Sequence, residues 1–401
     1  MRWSSASAEH ADLETAFGRC AEVVRDGLQG EPAALLLVFV SPRFASRYEK
    51  VPALAASRFP GTLLLGSAAG GVIGGGREWE QRSALSLVAA HLPGVALQPF
   101  RLDAADLPDA DASPRAWHAA LGVPLQPSPQ FVLLADPFTF PAEHLLEGLD
   151  FAYPHSVKVG GLASGAVRPG GNVLYLERQV VRSGAVGVAL AGEIVVETVV
   201  AQGCRPIGPV LQITRCEEHV LHELDRKPAL QVLQELAEGV TERERALMAQ
   251  ALFLGIAMDE LATEHRAGDF LIRNIVGIDP RQGAIAVGER LRNGRSVQFH
   301  LRDAQAAAED LEAVLKRFAG GPHAGAAAGA LLFSCLGRGE HLYGEPDHDS
   351  GVFRRVVGDL PLGGFFCNGE IGPVGGSTYL HGFTSSFGIF RAPAAPEPPG
   401  R

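Results

Sequence analysis

Cysteine is scarce and badly placed for staples. The 401 residues hold five (Cys20, Cys204, Cys216, Cys335 and Cys367), widely spread and with no CxxC pair. An odd, scattered set excludes a disulfide framework and a zinc knuckle, and it suits a reducing compartment. No uninterrupted apolar run reaches the eighteen residues that a membrane-crossing helix needs. The opening MRWSSASAEHADLE has no apolar core followed by a cleavage site, so no secretory leader is read and a cytoplasmic location is expected. Positive charge is also short. The net charge is −10, and no basic arm offsets it, which argues against nucleic acid as a partner. No glycine run is followed by Lys-Ser or Lys-Thr, so there is no phosphate loop. GGVIGGG lacks the spacing and the downstream acid of a dinucleotide fingerprint, and there is no HExxH.

What is present is core material. Hydrophobic residues make up 46% and charged residues 20%, and the length favours two or three domains. The pattern predicts a mixed α/β chain. An amphipathic helix is expected over Ser7 to Gly30, with Leu13, Phe17, Cys20, Val24 and Leu28 on one face. AALLLVFV (33–40) is a run without alternation, as in a strand buried on both faces. Ser41-Pro42 then opens a helix to about Arg58, followed by a strand, the glycine loop GSAAGGVIGGG and the strand 83–92. The same outline recurs from Gln130 and again from Ala330: strand, polar corner, helix, strand ending in glycine, glycine loop, strand. Gly66 lies 25 residues after Ser41, Gly161 25 after Asp136, and Gly364 29 after Cys335, which predicts one reused supersecondary unit.

Between the second and third copies the outline lapses. AVGVALAG and EIVVETVVAQG predict a hairpin turning at Gly192. The segment from Cys204 leads toward a helix, on which Cys216, His219 and His222 would share a face. Further helices are expected from Pro228 and from the capping box Thr241 to Glu244, the latter running through RALMAQALFLGIAM. Strands follow at 270–277 and 284–288, Asn293-Gly294 signals a hairpin, and Asp303 caps a last helix. The expected domains are an N-terminal helix (1–30), a first domain (31–225), a second (226–390) and a Pro/Ala-rich disordered tail (391–401).

The richest stretch for chemistry is DLPLGGFFCNGEIGPVGGSTYLHGFTSSFGIF, from Asp359 to Phe390. It sets Cys367, Asn368 and Glu370 among glycines and returns with His381. A tight structural hairpin accounts for such residues equally well. In LLFSCLGRG, Cys335 leaves a strand beside Arg338. That cysteine reads as a small hydrophobe or as a thiol activated by the guanidinium. Arg338, between Gly337 and Gly339, offers a planar grip for a carboxylate or phosphate, or a structural ion pair for which Glu370 is the candidate. His381 reads as a core histidine, a base or a metal ligand.

GFFCNGEIGPVGG with the later LHGFT, preceded by SCLGRG and Tyr343, resembles the C-terminal signature of the FIST family, and the GSAAGGVIGGG loop with its flanking strands resembles the family's N-terminal part. The resemblance runs from about Ala33 to Phe390. It implies a two-part sensory module that binds small molecules such as amino acids, found in bacterial signalling proteins and in eukaryotic F-box proteins, with haem bound by some members. No F-box, kinase, cyclase or chemoreceptor segment accompanies these parts. A stand-alone sensor is therefore expected, with output through a downstream partner that the sequence does not name. Its ligand would be small and anionic. The residues expected to meet it are Gly66, Ser67, Gly161, Ser164, Cys335, Arg338, Gly339, Tyr343, Phe366, Asn368, Gly369, Glu370 and His381. The rival readings are a cysteine-dependent enzyme using Cys335 or Cys367 with His381, a haem or gas sensor, and a protein-binding scaffold.

Overall fold

A computed structural model of the chain describes every residue except 110, 111, 126, 261, 263, 267 and 395–401. The chain divides into two compact units. The first holds Met1–Val200, Glu312–Leu380 and Thr384 onward; the second holds Ala201–Leu311 with His381–Phe383.

The first unit is one motif built three times. Copy one runs β1 (Arg2–Glu9), α1 (Leu13–Gly27), β2 (Leu35–Val40), a 3-10 turn (Pro42–Lys50), α2 (Val51–Arg58), β3 (Leu63–Ala68), β4 (Gly71–Gly74), β5 (Arg77–Glu80) and β6 (Ala84–His91). Copy two repeats this as β7 (Val95–Leu102), α3 (Pro114–Leu121), β8 (Gln130–Ala135), α4 (Ala142–Ala152), β9 (Lys158–Leu162), β10 (Leu174–Leu176), β11 (Gln179–Val181) and β12 (Ala185–Gly192). Copy three opens with β13 (Val195–Gln202). About a hundred residues then intervene: β14 (Cys204–Glu217), β15 (Val220–Leu224), β16 (Lys227–Pro228), α5 (Ala229–Gly239), α6 (Glu242–Ala251), β17 (Leu252–Ala257), β18 (Phe270–Asp279), β19 (Ala284–Val287) and β20 (Ser296–Arg302). Copy three resumes with α7 (Ala304–Ala319), β21 (Ala327–Cys335), α8 (Glu340–Tyr343), α9 (His348–Val357), β22 (Leu362–Cys367), β23 (Glu370–Val374), β24 (Ser377–His381) and β25 (Thr384–Arg391).

The sheets prove the repetition. Their strand orders are β1-β6-β2-β3-β10-β11, β7-β12-β8-β9-β23-β24 and β13-β25-β21-β22-β4-β5. In each, the two central strands are parallel and the returning strand is antiparallel. In each, the outer edge is covered by a hairpin from a different copy: copy two lends to copy one, three to two, and one to three. The three central strand pairs share one buried core, with Leu37, Val132 and Leu331 all fully or almost fully covered.

The contact between parallel strands explains the glycines. A Cβ on Gly66 would stand 2.1 Å from the carbonyl oxygen of Val38, one on Gly160 1.9 Å from that of Leu133, and one on Gly364 1.8 Å from that of Leu332. The equivalent of Gly66 in copy two is therefore Gly160, one residue before the Gly161 that spacing suggested.

Several local expectations are corrected. The helix read from Ser7 starts at Leu13, where Asp12 accepts from the Thr15 amide at 2.9 Å. Arg2–Glu9 is instead a strand, paired along its whole length with β6. The loop after β3 contains strand β4. The segments on either side of Gly192 do not pair with each other, since β12 lies between β8 and β7 while β13 lies beside β25. In the second unit, Cys204–Leu224 is the hairpin β14–β15 rather than an approach to a helix, so Cys216, His219 and His222 do not share a helical face. The capping box at Thr241 is present, but its helix stops at Ala251, and LFLGIA is a buried strand. Asn293-Gly294 does not join a tight hairpin: β19 pairs with β18 and β15, whereas β20 pairs with β14 and β17. In the C-terminal tail, Arg391 closes β25, and 395–401 lies outside the described residues.

The second unit is itself closed. Strands β14, β20, β17, β18, β19 and β15 follow one another, and β14 also pairs with β15, making a six-stranded antiparallel barrel around Ile213, Leu254, Ile285 and Leu301. Among the described residues, no helix is long and apolar enough to cross a membrane.

Replacing Gly66, Gly160 or Gly364 by alanine forces a methyl into a backbone carbonyl, and each change is expected to cost about 3 kcal/mol by denaturant titration. Gly351→Ala is the control. It lies in α9 with nothing within 4 Å of an added Cβ, and it should stabilise by about 0.5–1 kcal/mol.

Candidate functional site

The C-terminal ends of β21 and β22 carry a cluster of charge inside the first unit. Arg338 is 0% exposed. Its Nε donates to Asp349 Oδ2 at 2.9 Å and its Nη2 to Asp349 Oδ1 at 3.1 Å, a two-pronged grip. Asp349, at the start of α9, also accepts from Ser334 Oγ at 3.1 Å and Ser385 Oγ at 2.5 Å, with His348 Nδ1 at 3.1 Å. Burial works to raise the Asp349 carboxyl, but the Arg338 guanidinium and these hydrogen bonds outweigh it and hold it well below the usual carboxylate range. The predicted ion pair of Arg338 is thus real, but its partner is Asp349 and not Glu370.

The surroundings are acidic. Glu78, from the hairpin lent by copy one, is 5% exposed, and its Oε1 accepts from the Ser350 amide at 2.6 Å. Burial, and then the Asp349 charge, push its pKa up to about 8. Glu80 accepts from the Glu340 amide at 2.7 Å, and burial raises it too. Gly339 is required beside it: φ is +75°, and a Cβ would stand 2.2 Å from the Glu80 carboxylate. Tyr343, on α8, stacks on His348 at 3.5 Å, and its ring lies under the Arg338 guanidinium at 5.5 Å. Three buried polar atoms here, Arg338 Nη1, Glu78 Oε2 and Tyr343 Oη, have no hydrogen-bond partner among the described residues. Buried polar atoms are rarely left so.

A second carboxyl adjoins the cluster. Glu370 Oε2 accepts from the Thr384 amide at 3.1 Å and from Thr384 Oγ1 at 2.9 Å, while Cys367 Sγ lies 3.5 Å from Oε1. Burial pushes Glu370 up to about 7 and, with the Glu370 charge, pushes the Cys367 thiol well above its ordinary value. Cys335 pairs with Cys367 across the parallel strands and is partly exposed.

The glycine corners of the three copies also meet. Ser164 Oγ donates to the Phe366 carbonyl at 2.5 Å and accepts from the Gly70 amide at 2.7 Å. Gly161 packs on Cys367, where an added Cβ would stand 2.9 Å from Sγ. Asn368 donates its amide to the Leu162 carbonyl at 3.1 Å, and Leu162 donates to the Gly369 carbonyl at 2.9 Å. Asn368 is exposed, whereas Ser67 is buried and its hydroxyl has no hydrogen-bond partner among the described residues. Ser164, Phe366, Asn368 and Gly369 therefore form a packed junction, and Cys335, Arg338, Gly339, Tyr343 and Glu370 belong to the polar cluster. His381 is 3% exposed and belongs to the second unit. The grooves described around the chain, of about 290 to 910 Å³, carry no histidine on their walls. A buried His381 does not fit a haem's axial ligand. Among the described residues, no group of three or more His, Cys, Asp or Glu is placed to hold a metal ion.

Four residues of the polar cluster escaped the sequence reading: Glu78, Ser334, Asp349 and Ser385. The pairing registers show why they matter. Positions equivalent to Ser334 are Val40 and Ala135; to Ser385, Leu85 and Ala185; to Glu370, Val72 and Leu174. Copy three is polar where the other two are apolar. The visible signal was a serine inside the apolar run LLFSC and paired serines inside TSSFGIF.

Family comparison matches residues 34–227 to the FIST N domain and residues 229–373 to the FIST C domain. Rv0628c of Mycobacterium tuberculosis is 37% identical over 384 residues, spanning 94% of this chain and 97% of that protein. Mb0898c of Mycobacterium bovis is 36% identical over 387 residues, spanning 94% and 96%. An F-box/LRR-repeat protein of Arabidopsis thaliana, At5g63520, is 34% identical over 94 residues, 23% of this chain and 18% of that one. Among solved structures, a cyanuric acid hydrolase from A. caulinodans aligns over 98% of this chain and 99% of its own at 10% identity, with a TM-score of 0.34, a likeness too slight to argue from.

Two outcomes follow from the electrostatics. Arg338→Ala strands a buried carboxylate and should cost about 3–5 kcal/mol by denaturant titration. Arg338→Ala with Asp349→Ala should cost clearly less than the two single losses summed. A carboxyl raised on folding keeps its proton in the folded chain after the unfolded chain has lost it. The stability Glu370 contributes is therefore whole below its ordinary 4.5 and is lost as pH rises through about 7, an effect of about 3 kcal/mol. Glu370→Gln should flatten the fall in melting temperature between pH 5 and pH 8. An unchanged slope would show that Glu370 does not titrate in that window.

Proposed function

The chain belongs to the FIST family, and on that premise we propose that it is a sensory protein binding a small carboxylate-bearing metabolite, such as an amino acid, and signalling through a partner protein. The observation that supports this is the set of orphaned polar atoms around the Arg338–Asp349 pair. Below about pH 8 Glu78 is protonated. The cluster then offers three unused donors, from Arg338 Nη1, Glu78 and Tyr343, and a carboxylate accepts from all three kinds. Asp349 offsets the Arg338 charge, so the ligand is held by directed hydrogen bonds more than by net attraction. The way in is α8, a single helical turn bracketed by Gly339 and Gly344, each with φ of +75°.

A thiol–imidazole enzyme is the weaker reading. It requires an activated thiolate, and burial pushes Cys367 away from that form.

Thermal-shift and calorimetric titration against amino acids and 2-oxo acids test the proposal. Tyr343→Phe should weaken the best ligand roughly 10-fold, the worth of one hydrogen bond to a charged group, whereas Glu78→Gln, which keeps a donor at that position, should hold the affinity. Affinity should fall as pH passes about 8, because ionised Glu78 repels the carboxylate. Indifference of the affinity to Tyr343→Phe, or a fall above about pH 8 that Glu78→Gln leaves intact, would sink the assignment.

A further inference from the structure

The barrel unit stands where copies one and two have only short connections. Three residues separate β1 from α1, and eleven separate β7 from α3, but Gln202 and Ala304 in copy three are a hundred residues apart in sequence. An insertion with its own closed core invites the question of what it adds, and its surface carries a cleft of about 660 Å³.

The cleft has a structural cause. Ile207 pairs with Phe299 and Leu211 with Val297, so four steps along β14 match two along β20. The extra residues, around Gly208 and Pro209, bulge out of the ladder. Gly208, with φ of +68°, faces α5, where an added Cβ would stand 2.7 Å from Leu236 Cδ1. The bulge and α5 thus form two walls over a floor of barrel residues. Ile207, Leu211, Val232, Leu236 and Phe299 make the lining largely apolar, and the volume is that of a site for one small molecule.

The charges on the cleft favour one sign of ligand. Its two cations are already engaged: Lys227 Nζ lies 2.7 Å from Glu235, and Arg205 lies 3.0 Å from Glu244 and 3.1 Å from Asp303. Against these two stand three lining carboxylates, Asp225, Glu235 and Glu244. Among the described residues Asp225 meets no cation, and its Oδ1 accepts the Gln212 amide at 2.9 Å. We infer that the β14–α5 cleft of the barrel is a second ligand site, for a small molecule with an apolar body and a cationic amine. The amine meets the acidic rim, and the body lies on the Leu211–Val232–Leu236–Phe299 surface. This site owes nothing to the carboxylate site of the first unit.

Calorimetric titration of the full chain with n-octylammonium, octanoate and n-octanol tests the inference. Octylammonium should bind at least tenfold more tightly than octanoate, with octanol between them. Val232→Trp fills the cleft and should abolish binding of all three. Glu235→Lys, at an exposed position, should reduce or reverse the preference for the amine even if the tryptophan variant fails to fold. Tyr343→Phe should leave octylammonium binding unchanged, which separates this site from the carboxylate site. The absence of binding by any probe, or binding that Glu235→Lys leaves untouched in both strength and preference, would overturn the assignment.

Discussion

No copy of the repeated motif can close its own sheet, and that constraint governs the first unit. A parallel pair such as β2–β3 leaves the outer edge of the second strand with unpaired amides and carbonyls, an edge that would otherwise recruit another chain. The edge of β3 is covered by β10, that of β9 by β23 and that of β22 by β4. Because each copy supplies what another lacks, the three are interdependent, and the strand contacts span much of the chain. Such long-range pairing is slow to form but leaves one shared core, in which Phe39 stacks on Phe365 at 4.7 Å across copies one and three.

The same exchange assembles the polar cluster. The hairpin β4–β5 that covers β22 carries Glu78 and Glu80 to the ends of β21 and β22, beside Arg338 and α9. A buried ion pair is a poor device for stability alone, since desolvation offsets most of its attraction. Its retention in one copy, amid serines that replace valine, alanine and leucine at equivalent positions, fits a site carved from a structural repeat. The two raised carboxyls, Glu78 and Glu370, flank the pair on opposite sides in sequence and are raised by the same burial that sharpens its hydrogen bonds.

The barrel unit follows a different logic. Closure removes its edges without help, so it could enter between β13 and α7 without breaking the strand exchange. Its ladders shift register in β14–β20, in β14–β15 and in β18–β19, and α5 lies against the first of these, at Gly208.

The sequence by itself determined the mixed α/β class, the three-fold recurrence, the buried parallel strands and the family. These depend on local period, on long apolar runs and on glycine placed at strand ends, all of which are readable along a single chain. It also marked Arg338, Tyr343 and Glu370 as unusual. Only the tertiary structure decided that Arg338 pairs with Asp349, that Glu78 arrives from 272 residues away to accept the Ser350 amide, and that Cys204–Leu224 is barrel wall rather than the approach to a helix. The reason is physical: a buried charge takes its partner from whatever the fold brings within 3 Å, and here that choice follows from strands exchanged between copies, which no local pattern records.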